Sequence, residues 1–165
     1  MNKTDKKITL YIVQSAMISA VYVALTVIFA PISFGLIQVR IAEALCIMPL
    51  FTSAAIPGLF IGCLLGNIAG GAAIYDVVFG SIATLIGAFF GYLLRANRWL
   101  VPIPGIISNM LIVPFILKYV YMVDVPIILQ MLYIGFGETI ACYGLGELLG
   151  SVLLKHPELF KGESD

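Results

Sequence analysis

The chain has 165 residues, of which 61% are hydrophobic and only 11% charged, with a formal net charge of zero and a mean hydropathy of +1.08. Soluble domains carry roughly 25% charged residues, so this composition cannot cover a soluble surface and points to lipid as the solvent. A balanced charge without a basic stripe argues against nucleic acid as a partner.

A helix that crosses the hydrocarbon core needs about 20 apolar residues. The predicted spans are 8–30, 41–55, 57–72, 76–95, 101–118 and 126–154. The expected fold is all-α: a polytopic membrane protein forming a compact bundle of about six transmembrane helices. One domain covers 1–165, with short tails at about 1–7 and 155–165. Lys6 and Lys7 before the apolar run from Ile8 resemble the start of a signal peptide. The run continues to about Phe29, beyond an h-region of roughly 7–15 residues, and reads as an uncleaved first span. The second and third spans are short, and Pro49 and Pro57 interrupt them, so they are either distorted crossings or a re-entrant pair.

Six spans with a cytoplasmic N-terminus put Lys3, Lys6, Lys7, Arg95, Arg98, Lys155 and Lys161 inside, and Arg40 and Lys118 outside. This basic asymmetry predicts a cell-membrane protein with both termini cytoplasmic.

Small residues recur at four-residue spacing in Ala16, Ala20 and Ala24; Gly62, Gly66 and Gly70; Ala83, Gly87 and Gly91; and Gly146 and Gly150. Each set makes a smooth stripe for close helix approach, either within the bundle or against a partner protein. Cys46, Cys63 and Cys142 are scattered through apolar segments and read as packing residues, with no disulfide framework or metal site.

Charge inside a bilayer is costly unless paired, wetted or used. Arg40 and Glu43 lie three residues apart and share a face if helical, as an internal salt bridge or as ligand contacts. Asp76 follows Tyr75 in the Gly-rich turn from Gly70, where it either caps the next helix or meets a ligand that the glycines let approach. Glu138 lies about 12 residues into the last span, roughly 18 Å from its outer end. Glu147, nine residues on, falls on nearly the opposite face and reads as a packing or coupling residue. Asn67, Asn109 and Gln130 offer amides to a pocket or to neighbouring helices. Tyr119 and Tyr121 read as interface anchors, and either of them or Tyr75 is suited to stack on a flat ligand.

Enzyme motifs are missing: there is no P-loop, no G-x-S-x-G elbow and no H-E-x-x-H helix. The single histidine, His156, follows the last span. No catalytic residue and no cofactor are expected in this chain.

Three segments carry a family resemblance: Val39-Arg40-Ile41-Ala42-Glu43-Ala44-Leu45, Ile56-Pro57-Gly58-Leu59-Phe60-Ile61-Gly62 and Ala73-Ile74-Tyr75-Asp76-Val77-Val78-Phe79-Gly80. Together they resemble the QueT family of queuosine-precursor S-components of energy-coupling factor (ECF) transporters. The resemblance implies a six-helix S-component that binds a 7-deazaguanine such as preQ0, preQ1 or queuine near its outer face. Arg40, Glu43, Asn67, Tyr75, Asp76, Asn109, Gln130 and Glu138 are then the candidate substrate-binding residues. It also implies a transmembrane coupling subunit and two cytoplasmic ATPases as partners, which use the ATP. Ala16, Ala20 and Ala24 match the alanine-spaced first helix that contacts the coupling subunit in S-components. The alternatives are an S-component for another vitamin or nucleobase, a membrane scaffold, and a stand-alone carrier, whose usual inverted repeats are not seen.

Overall fold

The apolar runs fold as helices with no strand among the described residues. The computed structural model describes residues 3–33, 40–156 and 160. In chain order the elements are α1 (Lys3–Ile28), the short α2 (Ala30–Ser33), a 3₁₀ helix (Ile41–Leu50), α3 (Ala55–Ala69), α4 (Ile74–Leu93), a 3₁₀ turn (Arg98–Leu100), α5 (Ile103–Tyr119), α6 (Ile127–Thr139), a π-helical stretch (Ile140–Gly146) and α7 (Glu147–Leu153). Four stretches are long and apolar enough to cross a membrane: Thr4–Ile28, Ile74–Leu93, Arg98–Tyr119 and Ile127–Leu153. The chain is a multi-pass membrane protein.

The predicted second and third spans are the shorter pair. A ten-residue 3₁₀ helix rises about 20 Å and the fifteen residues of α3 about 22 Å, against a hydrocarbon core of about 30 Å. The turn between them is buried against the middle of α1. Thr52 Oγ1 donates to Gln14 Oε1 at 2.9 Å, and Ser15 Oγ donates to the Ala54 carbonyl at 2.9 Å. Ten residues in a 3₁₀ conformation is long for a helix with strained hydrogen-bond geometry. Its residues Ala42 to Leu45 and Ile47 to Pro49 are buried, so tertiary packing on several sides holds it.

Glycine stripes set the close approaches. A Cβ at Gly58 would lie 2.9 Å from the Ser15 carbonyl oxygen, one at Gly62 2.7 Å from Tyr22 Cβ, and one at Gly66 3.1 Å from Thr26 Cβ. The contacts climb both helices together, so α3 runs parallel to α1. Gly87 meets the Gly105 backbone, with a 2.6 Å separation for an added Cβ, and Gly146 and Gly150 meet Ala44 and Ile47 of the 3₁₀ helix. These glycine positions serve the bundle's own packing. The alanine stripe differs, because Ala16, Ala20 and Ala24 are exposed and line an apolar groove of about 880 Å³ between α1 and α3.

Candidate functional site

Helix ends and helix middles converge on one buried polar cluster. The chain enters it at Arg40, immediately before the 3₁₀ helix, and leaves α3 beside it at Asn67. It re-enters through Asp76 in the first turn of α4. Arg40 is 4% exposed and Asp76 1%, and Arg40 Nη2 lies 3.4 Å from Asp76 Oδ1. The other Asp76 oxygen accepts from the Tyr121 hydroxyl at 3.3 Å. That hydroxyl also accepts from the Ala73 backbone N–H at 2.9 Å, so Tyr121 ties the α5–α6 connection to the start of α4. Asp76 is therefore not a helix cap: Ala73 holds the N-cap position without a side-chain bond.

Gly80, one turn along α4, leaves room for this arrangement. A Cβ there would lie 3.0 Å from Asp76 Oδ1, 3.4 Å from Asn67 Nδ2 and 3.9 Å from Arg40 Nη1. Asn67 donates to the Asp76 backbone carbonyl at 3.4 Å and to Cys63 Sγ at 3.5 Å.

Deeper in the bundle stand two more carboxylates. Glu43 accepts a short hydrogen bond from the Tyr22 hydroxyl of α1, and the Thr84 hydroxyl of α4 lies within its reach. Glu138 on α6 lies 3.8 Å from Cys142 Sγ, which is also 3.5 Å from the Glu43 backbone oxygen. Glu138, Cys142, Gly146 and Gly150 recur at four-residue spacing through the π stretch, and the last three touch the 3₁₀ helix. Asn109 of α5 sits beside the Glu138 carboxyl, yet both its amide Nδ2 and its Oδ1 are buried without a hydrogen-bond partner among the described residues. Such an orphaned polar group costs about 1–3 kcal/mol until something satisfies it.

The predicted residues divide accordingly. Arg40, Glu43, Asn67, Asp76, Asn109 and Glu138 come together. Gln130 is buried, but its amide braces the preceding loop by donating to the Val125 carbonyl at 2.8 Å. Tyr75 is placed elsewhere: it is 57% exposed and lines a separate apolar groove with Phe79 and Phe115. Neighbouring positions in the first turn of α4 point about 100° apart, so Asp76 turns inward while Tyr75 turns outward. Glu147 lies away from the cluster, where it accepts from Arg98 Nε at 2.9 Å and from Arg98 Nη2.

Sequence reasoning missed Tyr22, Thr84 and Cys142. A hydroxyl-bearing aromatic in the middle of a span has no interfacial role, and that was the available signal for Tyr22. Nothing local marks Thr84, whose hydroxyl also donates to the Gly80 carbonyl one turn back.

The family described as QueT transporter matches residues 12–155. The Queuosine precursor transporter QueT of Lactococcus lactis subsp. cremoris (strain MG1363) is 35% identical over 91 residues, which cover 54% of this chain and 53% of that protein. No solved structure matches. Matched across both the 3₁₀ helix and the final helix, the chain belongs to the QueT transporter family.

Proposed function

We propose that this chain is the substrate-binding S-component of an ATP-driven ECF uptake transporter, and that the buried cluster binds a queuosine precursor. Family membership and the name of the Lactococcus relative support the transport role and the class of cargo. The observation that carries the site is Asn109, whose side chain lies beside Glu138 and whose amide atoms are buried without a geometric hydrogen bond among the described residues. The guanine-like edge of a 7-deazaguanine presents two neighbouring N–H donors next to a carbonyl. A carboxylate accepts from the donors while an amide N–H reaches the carbonyl.

In this reading the end of the bundle with Arg40, Asp76 and Tyr121 faces outward, and both termini are cytoplasmic. The groove along Ala16, Ala20 and Ala24 receives a helix of the transmembrane coupling subunit. Two cytoplasmic ATPases supply the energy, since this chain has no nucleotide-binding motif.

Ligand binding by the purified chain against a panel of 7-deazaguanines and vitamins tests the proposal. Saturable binding of a 7-deazaguanine is expected. Saturable binding of a vitamin alone would move the chain to another S-component class. No saturable ligand would favour a scaffold.

A further inference from the structure

Another groove runs along the face of α1 that carries Gln14, about 200° around the helix from Ala16. Met17 and Val21 of α1, Leu45 and Met48 of the 3₁₀ helix, and Leu149 and Leu153 of α7 wall this apolar space of about 260 Å³. Its rim lies on the surface of a membrane-spanning helix, where Met17 is 63% and Val21 47% exposed. One polar group stands in the wall. Gln14 is 9% exposed; its Oε1 accepts from the Thr52 hydroxyl, while its Nε2 is buried with no acceptor among the described residues. An amide donor left unmet in apolar surroundings is costly, and bilayer hydrocarbon has no water to meet it.

Charge gathers at one end of this groove. Gly146 and Gly150 meet Ala44 and Ile47 in turn, so α7 runs parallel to the 3₁₀ helix. Tyr22 meets Glu43 while Gln14 meets Thr52, so α1 runs antiparallel to both. The start of α1 and the end of α7 therefore share one end of the bundle. Lys7 is exposed there, seven residues before Gln14. Seven steps of about 100° return to the same face of the helix, about 10 Å along its axis. Asp5, two residues earlier, turns about 200° away from Lys7. Lys155 is exposed two residues beyond Leu153.

We propose that this groove binds an anionic phospholipid of the leaflet at that end of the bundle. An acyl chain lies along Met17, Val21, Leu45 and Leu149, an ester carbonyl accepts from Gln14 Nε2, and the phosphate meets Lys7 and Lys155. A free phosphate would leave the apolar walls and the buried amide unmet. The backbone carbonyls of a partner's transmembrane helix are already bonded within that helix, whereas a lipid ester brings an acceptor with no other claim on it. A zwitterionic headgroup carries its own cation beside the phosphate and gains less from lysines. The site stands apart from the buried polar cluster and does not depend on what that cluster binds.

The test titrates the delipidated full chain in detergent with dioleoylphosphatidylglycerol, dioleoylphosphatidylcholine or glycerol phosphate, followed by native mass spectrometry and thermal unfolding. Phosphatidylglycerol is expected to bind saturably, to raise Tm, and to bind about tenfold tighter than phosphatidylcholine, the scale of two lysines near an anionic headgroup. Glycerol phosphate, which has the headgroup without the chains, should not bind. Replacing both exposed lysines, Lys7→Gln with Lys155→Gln, should bring the ratio between the two lipids under about threefold. Gln14→Met should weaken both lipids and leave their ratio unchanged. Equal affinities in the wild type, or a ratio that survives the lysine pair, overturn the proposal. So do glycerol phosphate binding as tightly as the lipid and full lipid binding in folded Gln14→Met. If Gln14→Met does not fold, Val21→Trp fills the exposed rim instead, and undiminished lipid binding in that variant counts against the groove.

Discussion

The Tyr22 hydroxyl donates to Glu43 Oε1 and so joins α1 to the 3₁₀ helix through the interior of the bundle. Tyr22 is 1% exposed, and Gly62 of α3 packs against its Cβ. Tyr22→Phe keeps the ring and removes the donor. A hydrogen bond to a charged group contributes about 1.5–3 kcal/mol, so the detergent-solubilised variant should unfold at a lower temperature than the wild type. An unchanged Tm in Tyr22→Phe would mean that this bond contributes nothing to holding the two elements together.

Glu138→Gln and Glu147→Gln should separate binding from architecture. Glu138→Gln keeps the size of the side chain but turns one acceptor into a donor facing the ligand's N–H groups. Loss of a charge-assisted bond of roughly 1.5–3 kcal/mol should weaken 7-deazaguanine binding by about tenfold to over a hundredfold. Glu147 instead grips Arg98 away from the cluster. Its substitution should change affinity by less than about threefold. Calorimetric titration of both folded variants checks the contrast, and equal losses would contradict it.

Membrane orientation is open to direct labelling. The Asp124 side chain is fully exposed in the connection near Tyr121, and Lys155 is exposed just after α7. Asp124→Cys should react with an impermeant maleimide on intact cells, and Lys155→Cys only after permeabilisation. The reverse pattern would invert the proposed topology.

Much of the membrane architecture was legible because lipid imposes a strong composition rule. Long apolar runs marked α1, α4, α5 and the final helix, whose ends differ from the predicted bounds by a few residues. The 3₁₀ conformation of Ile41–Leu50 was not legible, since its apolar residues fit an α-helix equally well and only packing from several neighbours selects the tighter form. The π stretch Ile140–Gly146 escaped for the same reason. At the site, charged residues stood out against apolar sequence, so Arg40, Glu43, Asp76 and Glu138 could be named. Their partners were hidden because Tyr22 and Thr84 are separated from Glu43 by 21 and 41 positions, and their hydroxyls are unremarkable along the chain.

Two small-residue stripes on neighbouring helices should respond in opposite ways to enlargement. Ala20 is exposed on the groove between α1 and α3, so Ala20→Leu meets no packed neighbour in the isolated chain. Gly62 is closed off: an added Cβ would stand 2.7 Å from Tyr22 Cβ and 3.1 Å from Ser19 Cα. Gly62→Ala must therefore push α3 from α1 and disturb the hold of Tyr22 on Glu43. Overpacking of this kind costs about 1–3 kcal/mol, which should appear as a lower Tm and weaker ligand binding. Ala20→Leu should leave Tm and binding unchanged while blocking the close helix approach that a coupling subunit needs. Co-purification with that subunit and cellular uptake should then fall together. Intact assembly in Ala20→Leu with impaired binding would assign the alanine stripe to the bundle's own core and remove it from the docking surface.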